Sequence, residues 1–105
     1  KAGIFVRELI RRAEGAGAAA FVARKGSEEA GAVVLRVPRL DGTAQLLSQA
    51  RAGDGDLVWQ QPLGPSVPDA RAAQWCAKQV TFDPDLWIVE IEDRQGRAFV
   101  DEKIV

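Results

Sequence analysis

Residues 31–51, GAVVLRVPRLDGTAQLLSQAR, carry the strongest fold signal in the sequence. The segment Gly31–Val37 is rich in the β-branched residues that strands favour, and it stops at Pro38, which cannot donate to a ladder. Asp41-Gly42 then indicates a tight hairpin, because type I′ turns need positive φ at both central residues. Thr43–Arg51 is the returning strand, so this stretch predicts an antiparallel hairpin.

Two further strand-like runs flank this hairpin. Ala19–Lys25 precedes it and Leu57–Gln61 follows it, and each is bounded by glycines and small polar residues. Connections this short cannot hold a parallel crossover, so consecutive strands are expected to pair in antiparallel fashion. The four runs together predict a four-stranded antiparallel meander.

Helical periodicity appears on both sides of the meander. Apolar residues recur at i, i+3 and i+4 from about Ile4 to Ala16, which predicts an amphipathic helix. A second apolar stripe predicts a helix that opens at Pro68 or Asp69 and reaches Val80 or Phe82. Proline disfavours the α region for the residue before it, and Asp83-Pro84 ends this helix.

A fifth strand, Leu86–Asp93, follows the second helix. Loop length does not predict its neighbour in the sheet, because it returns from far along the chain. The predicted architecture is therefore one α+β domain over residues 1–105, in the order α-β-β-β-β-α-β. Both helices are expected to pack on one face of the sheet.

Composition excludes several classes of function. The chain has 14 basic and 15 acidic residues and a net charge of −1, which argues against nucleic acid as a partner. No apolar run approaches a membrane span, so no membrane partner is predicted and the default location is cytoplasmic. Histidine and tyrosine are absent, and no nucleotide, metal or hydrolase motif is present. We therefore predict no cofactor, no metal and no catalytic residue, and the balance is against an enzyme.

The single cysteine, Cys76, admits two interpretations. A nucleophilic thiol needs a lowered pKa and usually a basic partner, and no histidine exists to supply one. Cys76 also lies on the apolar stripe of the second helix, where a free cysteine behaves as a small hydrophobe. The core role is favoured.

Carboxylates could also bind a hard cation such as Mg²⁺ or Ca²⁺. They occur as Asp54 with Asp56, Asp83 with Asp85, and Glu90 with Glu92. Aspartates at turns are expected from turn chemistry alone. The two glutamates share one strand face, where a solvated polar surface explains them as well as acid–base chemistry does.

Arginines provide the main candidate for a ligand or partner surface. If they converge, guanidinium groups could bind a phosphate or a carboxylate, and a tryptophan could stack on a base. The alternative is a set of scattered solvated charges around a core tryptophan. The candidate surface consists of Arg7, Arg11, Arg36, Arg39, Trp59 and Arg94.

Three stretches resemble a small bacterial family known as domain of unknown function 1491, found mainly in alphaproteobacteria. They are Gly31–Val37, Leu40–Ala50 (LDGTAQLLSQA) and Asp83–Asp93 (DPDLWIVEIED). The opening Lys1-Ala-Gly-Ile fits the family as well, and the resemblance covers nearly the whole chain. It implies no activity, substrate or catalytic residue.

Three hypotheses about function follow. The first is a non-enzymatic binding module that recognises a protein partner or a second copy of itself through an uncovered part of the sheet. The second is a binder of an anionic small ligand or nucleic acid through the arginines. The third is an enzyme that uses only carboxylates.

Overall fold

The structure, a computed structural model, describes residues 1–105 and contains two helices and a six-stranded sheet. The elements are α1 Ala2–Gly15, β1 Ala19–Arg24, β2 Val33–Pro38, β3 Thr43–Arg51, β4 Leu57–Gln60, β5 Val67–Pro68, α2 Asp69–Phe82 and β6 Trp87–Glu92. The α+β class and the order of the main elements are confirmed. The two-residue β5 is the one strand that the sequence did not predict. Neither helix has the length and apolarity that crossing a bilayer requires.

The predicted four-stranded meander is wrong in one respect. The sheet order is β1-β6-β2-β3-β4, with β5 paired to the start of β3. Strand β6 therefore separates β1 from β2, pairing antiparallel with β1 and parallel with β2. Only β2, β3 and β4 form a meander of antiparallel neighbours.

Burial explains why β6 lies in the interior of the sheet. Trp87, Val89 and Ile91 lie in the core on one face of the sheet, and Leu86 and Ile88 lie in the core on the other. A nearly continuous apolar run is typical of a strand that is covered on both faces. Strand β1 contributes a single buried residue and occupies the edge.

The two helices lie on opposite faces, which corrects the prediction that both pack on one. Helix α1 packs Val6, Leu9 and Ala13 into the larger cluster, whereas α2 packs Ala72 and Cys76 into the smaller one. The physical reason is that successive residues of β2 and β6 are apolar. Each face of the sheet therefore needs its own cover.

The hairpin between β2 and β3 is confirmed, but its turn is wider than a type I′ turn. The backbone N–H of Arg39 donates to Thr43 O at 2.7 Å, which leaves three residues between them. Of those residues only Gly42 has a positive φ, +86°. The Asp41 carboxylate closes the loop by accepting from Thr43 N at 3.0 Å and Thr43 Oγ1 at 2.7 Å.

The connection from β1 to β2 crosses the start of β6. Ser27 N donates to Asp85 O at 3.0 Å, and Ser27 O accepts from Trp87 Nε1 at 2.7 Å. At Gly31 a Cβ atom would overlap Asp85 O and would lie 2.8 Å from Trp87 Cδ1. This close crossing therefore requires glycine.

Replacing Gly31 with Ala should lower the free energy of unfolding by about 1–3 kcal/mol, because the added methyl group overpacks this crossing. The matched control is Gly53→Ala, where a Cβ meets nothing within 4 Å; its effect should stay within about 1 kcal/mol. Urea unfolding followed by tryptophan fluorescence measures both. Equal effects of the two substitutions would contradict the close approach.

Candidate functional site

Arg36 is a largely buried cation that is bound by two carboxylates. It projects from β2 towards the side of the sheet that α2 covers, and its side chain is 17% exposed. Its Nε and Nη2 atoms donate to the two carboxylate oxygens of Asp69 at 2.9 and 2.6 Å. Its Nη1 atom donates to Glu90 Oε1 at 2.9 Å. Since β2 and β6 are parallel neighbours, Arg36 lies directly opposite Glu90.

The positive charge of Arg36 is balanced by carboxylates of the same chain. The hydrogen bonds that Arg36 donates to Asp69 are the main cause of its raised pKa, so the guanidinium stays charged. Asp69 occupies the first turn of α2, where a carboxylate also complements the positive end of the helix dipole. The network therefore ties the start of α2 to β2 and β6, and each of the three guanidinium nitrogens donates to a carboxylate of the chain itself.

The helix arginines of the candidate surface lie apart from Arg36. Arg7 donates to Glu28 at 3.1 Å, and Arg11 lies 3.8 Å from Glu8. Both line an open groove along α1. Their nearby carboxylates make them ordinary surface ion pairs, whose contributions to stability are small.

Two of the candidate arginines line the same cleft. Arg39 follows β2 and Arg94 follows β6, and both line one cleft of about 260 Å³ at the end of the sheet. The sequence left open whether the candidate arginines converge. In the structure a shared cleft involves only Arg39 and Arg94, while Arg36 and the α1 arginines lie elsewhere.

Trp59 offers no surface for stacking. Its side chain is 0% exposed and lies in the larger core cluster, with its ring 6.0 Å from that of Phe5. The indole Nε1 donates to Glu102 Oε1 at 3.0 Å. The interpretation of Trp59 as a core residue is the one that the structure favours.

Cys76 is also a core residue, as its place on the apolar helical stripe predicts. Burial raises the pKa of the thiol to about 11, and the cation of Arg36 only partly opposes this shift. At neutral pH the sulfur is therefore a thiol, which is a poor nucleophile.

The remaining carboxylates mostly shape turns. Asp54 accepts from the N–H of Asp56, and Asp83 accepts from the N–H of Asp85. Glu90 is bound to Arg36. No group of three or more histidine, cysteine, aspartate or glutamate side chains is arranged to hold a metal ion.

The two edges of the sheet differ, a feature that the sequence did not predict. Beyond β4, the C-terminal segment runs parallel to Trp59: Trp59 N donates to Lys103 O at 2.9 Å, and Val105 N donates to Trp59 O at 2.8 Å. No strand pairs with the outer edge of β1, and on this strand Phe21 is 45% and Val22 is 39% exposed. The only sign of this edge in the sequence is that β1 carries the apolar residues Phe21 and Val22 without a regular alternation of apolar and polar residues.

Replacing Arg36 with Met should lower the free energy of unfolding by about 1–3 kcal/mol, because Asp69 and Glu90 then face each other without a cation. Adding Glu90→Gln to that variant should restore part of the loss, since one of the two carboxylates is removed. Arg11→Met is the control and should change stability by at most about 0.5 kcal/mol. Denaturant unfolding of all variants at pH 7 tests the network, and equal effects at Arg36 and Arg11 would contradict it.

Cys76 should react with iodoacetamide at pH 8 at least about 100-fold more slowly in the folded protein than in denaturant. A thiol with a pKa near 11 carries far less thiolate at this pH than a free thiol with a pKa near 8.5. Mass spectrometry of the alkylated fraction over time gives both rates. Comparable rates would contradict burial of the thiol.

The sequence was compared with models of known protein families, and one family matches. The model of the family described as "Protein of unknown function (DUF1491)" matches residues 1–101. No curated protein matches the chain.

Solved structures give the same result. A crystal structure of a DUF1491 family protein from Caulobacter crescentus is 45% identical, covers 98% of this chain and 96% of its own, and has a TM-score of 0.92. An NMR structure of a DUF1491 family protein from the same organism is 46% identical, with coverages of 97% and 93% and a TM-score of 0.88. The solution structure of protein Atu0922 from A. tumefaciens is 31% identical, with coverages of 97% and 92% and a TM-score of 0.81. The resemblance seen in the three sequence stretches is therefore confirmed, and the chain belongs to the DUF1491 family of proteins of unknown function.

Proposed function

We propose that the chain is a non-enzymatic cytoplasmic interaction module that pairs through the outer edge of β1 with a second copy of itself. The observation that carries this proposal is the uncovered β1 edge with its two exposed apolar side chains, Phe21 and Val22. An edge strand presents unpaired N–H and C=O groups, which form a template for another strand. The opposite edge already has the C-terminal segment beside it.

The shape of β1 limits where a strand can pair. The register of β1 against β6 shifts between Val22 and Arg24, and such a bulge interrupts a regular ladder. Arg24 turns back to donate to Pro84 O and Leu86 O, both at 2.9 Å. Pairing is therefore expected over the first four residues of β1, from Ala19 to Val22.

Charge favours a second copy as the occupant. Glu14 and the negative end of α1 precede β1, whereas Lys25 follows it. When two copies pair in antiparallel fashion, the basic end of each strand lies beside the acidic end of the other. Charge complementarity of this kind selects the orientation of an interface.

The competing functions have less support. Acid–base chemistry by Glu90 would need a carboxylate that is free to move a proton, but Arg36 binds it at 2.9 Å. Nucleic acid binding would need a continuous basic surface, and the net charge of −1 does not supply one. Most of the candidate arginines pair with carboxylates of the chain itself.

Sedimentation equilibrium should show association of the 11.4 kDa chain towards twice that mass as its concentration rises. Phe21→Lys should raise the dissociation constant at least about tenfold, because it replaces an apolar contact with a charge at the centre of the paired strands. Phe82→Lys is the matched control, since Phe82 is 71% exposed at the end of α2 and should leave association unchanged.

Two results would contradict this proposal. One is a strict monomer at about 1 mM, where even an association of about −4 kcal/mol would be half complete. The other is association that Phe82→Lys weakens as much as Phe21→Lys does. Circular dichroism of both variants confirms that each is folded.

A further inference from the structure

The cleft that Arg39 and Arg94 share is a direct consequence of the sheet register. Arg36 of β2 lies opposite Glu90 of β6 in a parallel pair, so the chain segments that leave the two strands lie side by side. Crevices at the carboxyl ends of neighbouring parallel strands are common ligand sites, because the loops diverge there. In this protein the loops place two arginines around a cleft of about 260 Å³.

Both carboxylates that line this cleft are already engaged. Asp93 accepts from Arg97 Nε at 2.8 Å and Arg97 Nη2 at 2.9 Å, and also from two backbone N–H groups. Hydrogen bonds from Thr43 lower the pKa of Asp41, and those from Arg97 hold the pKa of Asp93 well below its usual range. Neither aspartate forms an ion pair with Arg39 or Arg94 within 4.0 Å.

The guanidinium of Arg39 is held in place, but only by weak hydrogen bonds. Its Nη1 atom lies 3.3 Å from Ser66 Oγ and 3.5 Å from Thr43 Oγ1, and its Nη2 atom lies 3.5 Å from Pro65 O. These acceptors are neutral, and the distances are at the long end for hydrogen bonds. An anion would offer shorter, charge-assisted bonds to the same guanidinium.

The turn after β6 completes the site. Gly96 has a φ of +68°, and a Cβ there would lie 3.7 Å from Arg39 Nε, so the turn passes directly over the guanidinium. Arg94 extends from this turn, and Leu40, which is 96% exposed, forms an apolar lip on the other side. The cleft is smaller than the roughly 300–1,000 Å³ of most drug-sized ligand sites. It therefore suits a compact anionic group.

We propose that this cleft binds a phosphate group, free or as a small monoester, between the guanidinium groups of Arg39 and Arg94. A phosphate dianion offers oxygens that match two planar guanidinium forks. Leu40 is placed to contact the organic part of an ester. This site is separate from the β1 edge, so each proposal can fail without the other.

The test is an NMR titration of the ¹⁵N-labelled protein with inorganic phosphate and, separately, with phenyl phosphate, at constant ionic strength in chloride. Saturable shifts should be confined to the amides of residues 39–43 and 93–97. Arg39→Gln and Arg94→Gln should each weaken binding by about tenfold. Arg51→Gln is the control, because Arg51 lies at the other end of β3 from the hairpin, and it should leave affinity unchanged.

The two probes also distinguish the source of the phosphate group. Tighter binding of phenyl phosphate, with an advantage that Leu40→Ser removes, identifies an ester; equal binding of the two identifies free phosphate. The proposal would be overturned if neither probe caused a saturable shift up to a concentration of about 50 mM, because a site with a millimolar dissociation constant would be nearly full there. Shifts spread over all basic residues, or equal losses in Arg51→Gln and Arg39→Gln, would also overturn it.

Discussion

The parallel pairing of β6 with β2 is the constraint on which the rest of the fold depends. A strand inserted between β1 and β2 has both of its faces covered, and its residues from Trp87 to Ile91 are buried except for the partly exposed Glu90. The two helices must then lie on opposite faces of the sheet. The connection from β1 to β2 must pass over the start of β6, which leaves no room for a side chain at Gly26 or Gly31. The place of β6 in the sheet therefore determines the backbone pairing, the apolar burial and the positions of these two glycines together.

Several of the charged and aromatic side chains in this chain make contacts that stabilise the fold. Arg36, Asp69 and Glu90 join α2 to the centre of the sheet, and Trp59 anchors the C-terminal segment through Glu102. No buried side-chain nitrogen or oxygen lacks a hydrogen-bond partner, so no unsatisfied polar group in the core marks a reaction centre. The exceptions are at the surface, in the uncovered strand edge and in the pair of arginines beyond β2 and β6.

Local signals predicted the elements well, because their causes are local. The apolar period defined both helices, and Pro38 with Gly42 defined the hairpin. The position of β6 depends on a contact between residues 54 apart, and no loop length carries that information. The uninterrupted run from Leu86 to Val89 did contain a signal for a strand buried on both faces. The same limit applies to the candidate site. The sequence does not show that Arg36 pairs with Asp69 and Glu90 within the fold while Arg39 and Arg94 share a cleft.

The contact between the C-terminal segment and β4 has a consequence for assembly. A sheet with two open edges can add copies on both sides without end, which is the geometry of a fibre. Here Trp59 exchanges backbone hydrogen bonds with Lys103 and Val105 of its own chain, so that side of the sheet is closed to a regular ladder. A twofold pairing through β1 would consume the one remaining edge of each copy. Growth would then stop at a closed dimer, and the cap on β4 would be what keeps a self-pairing sheet from polymerising.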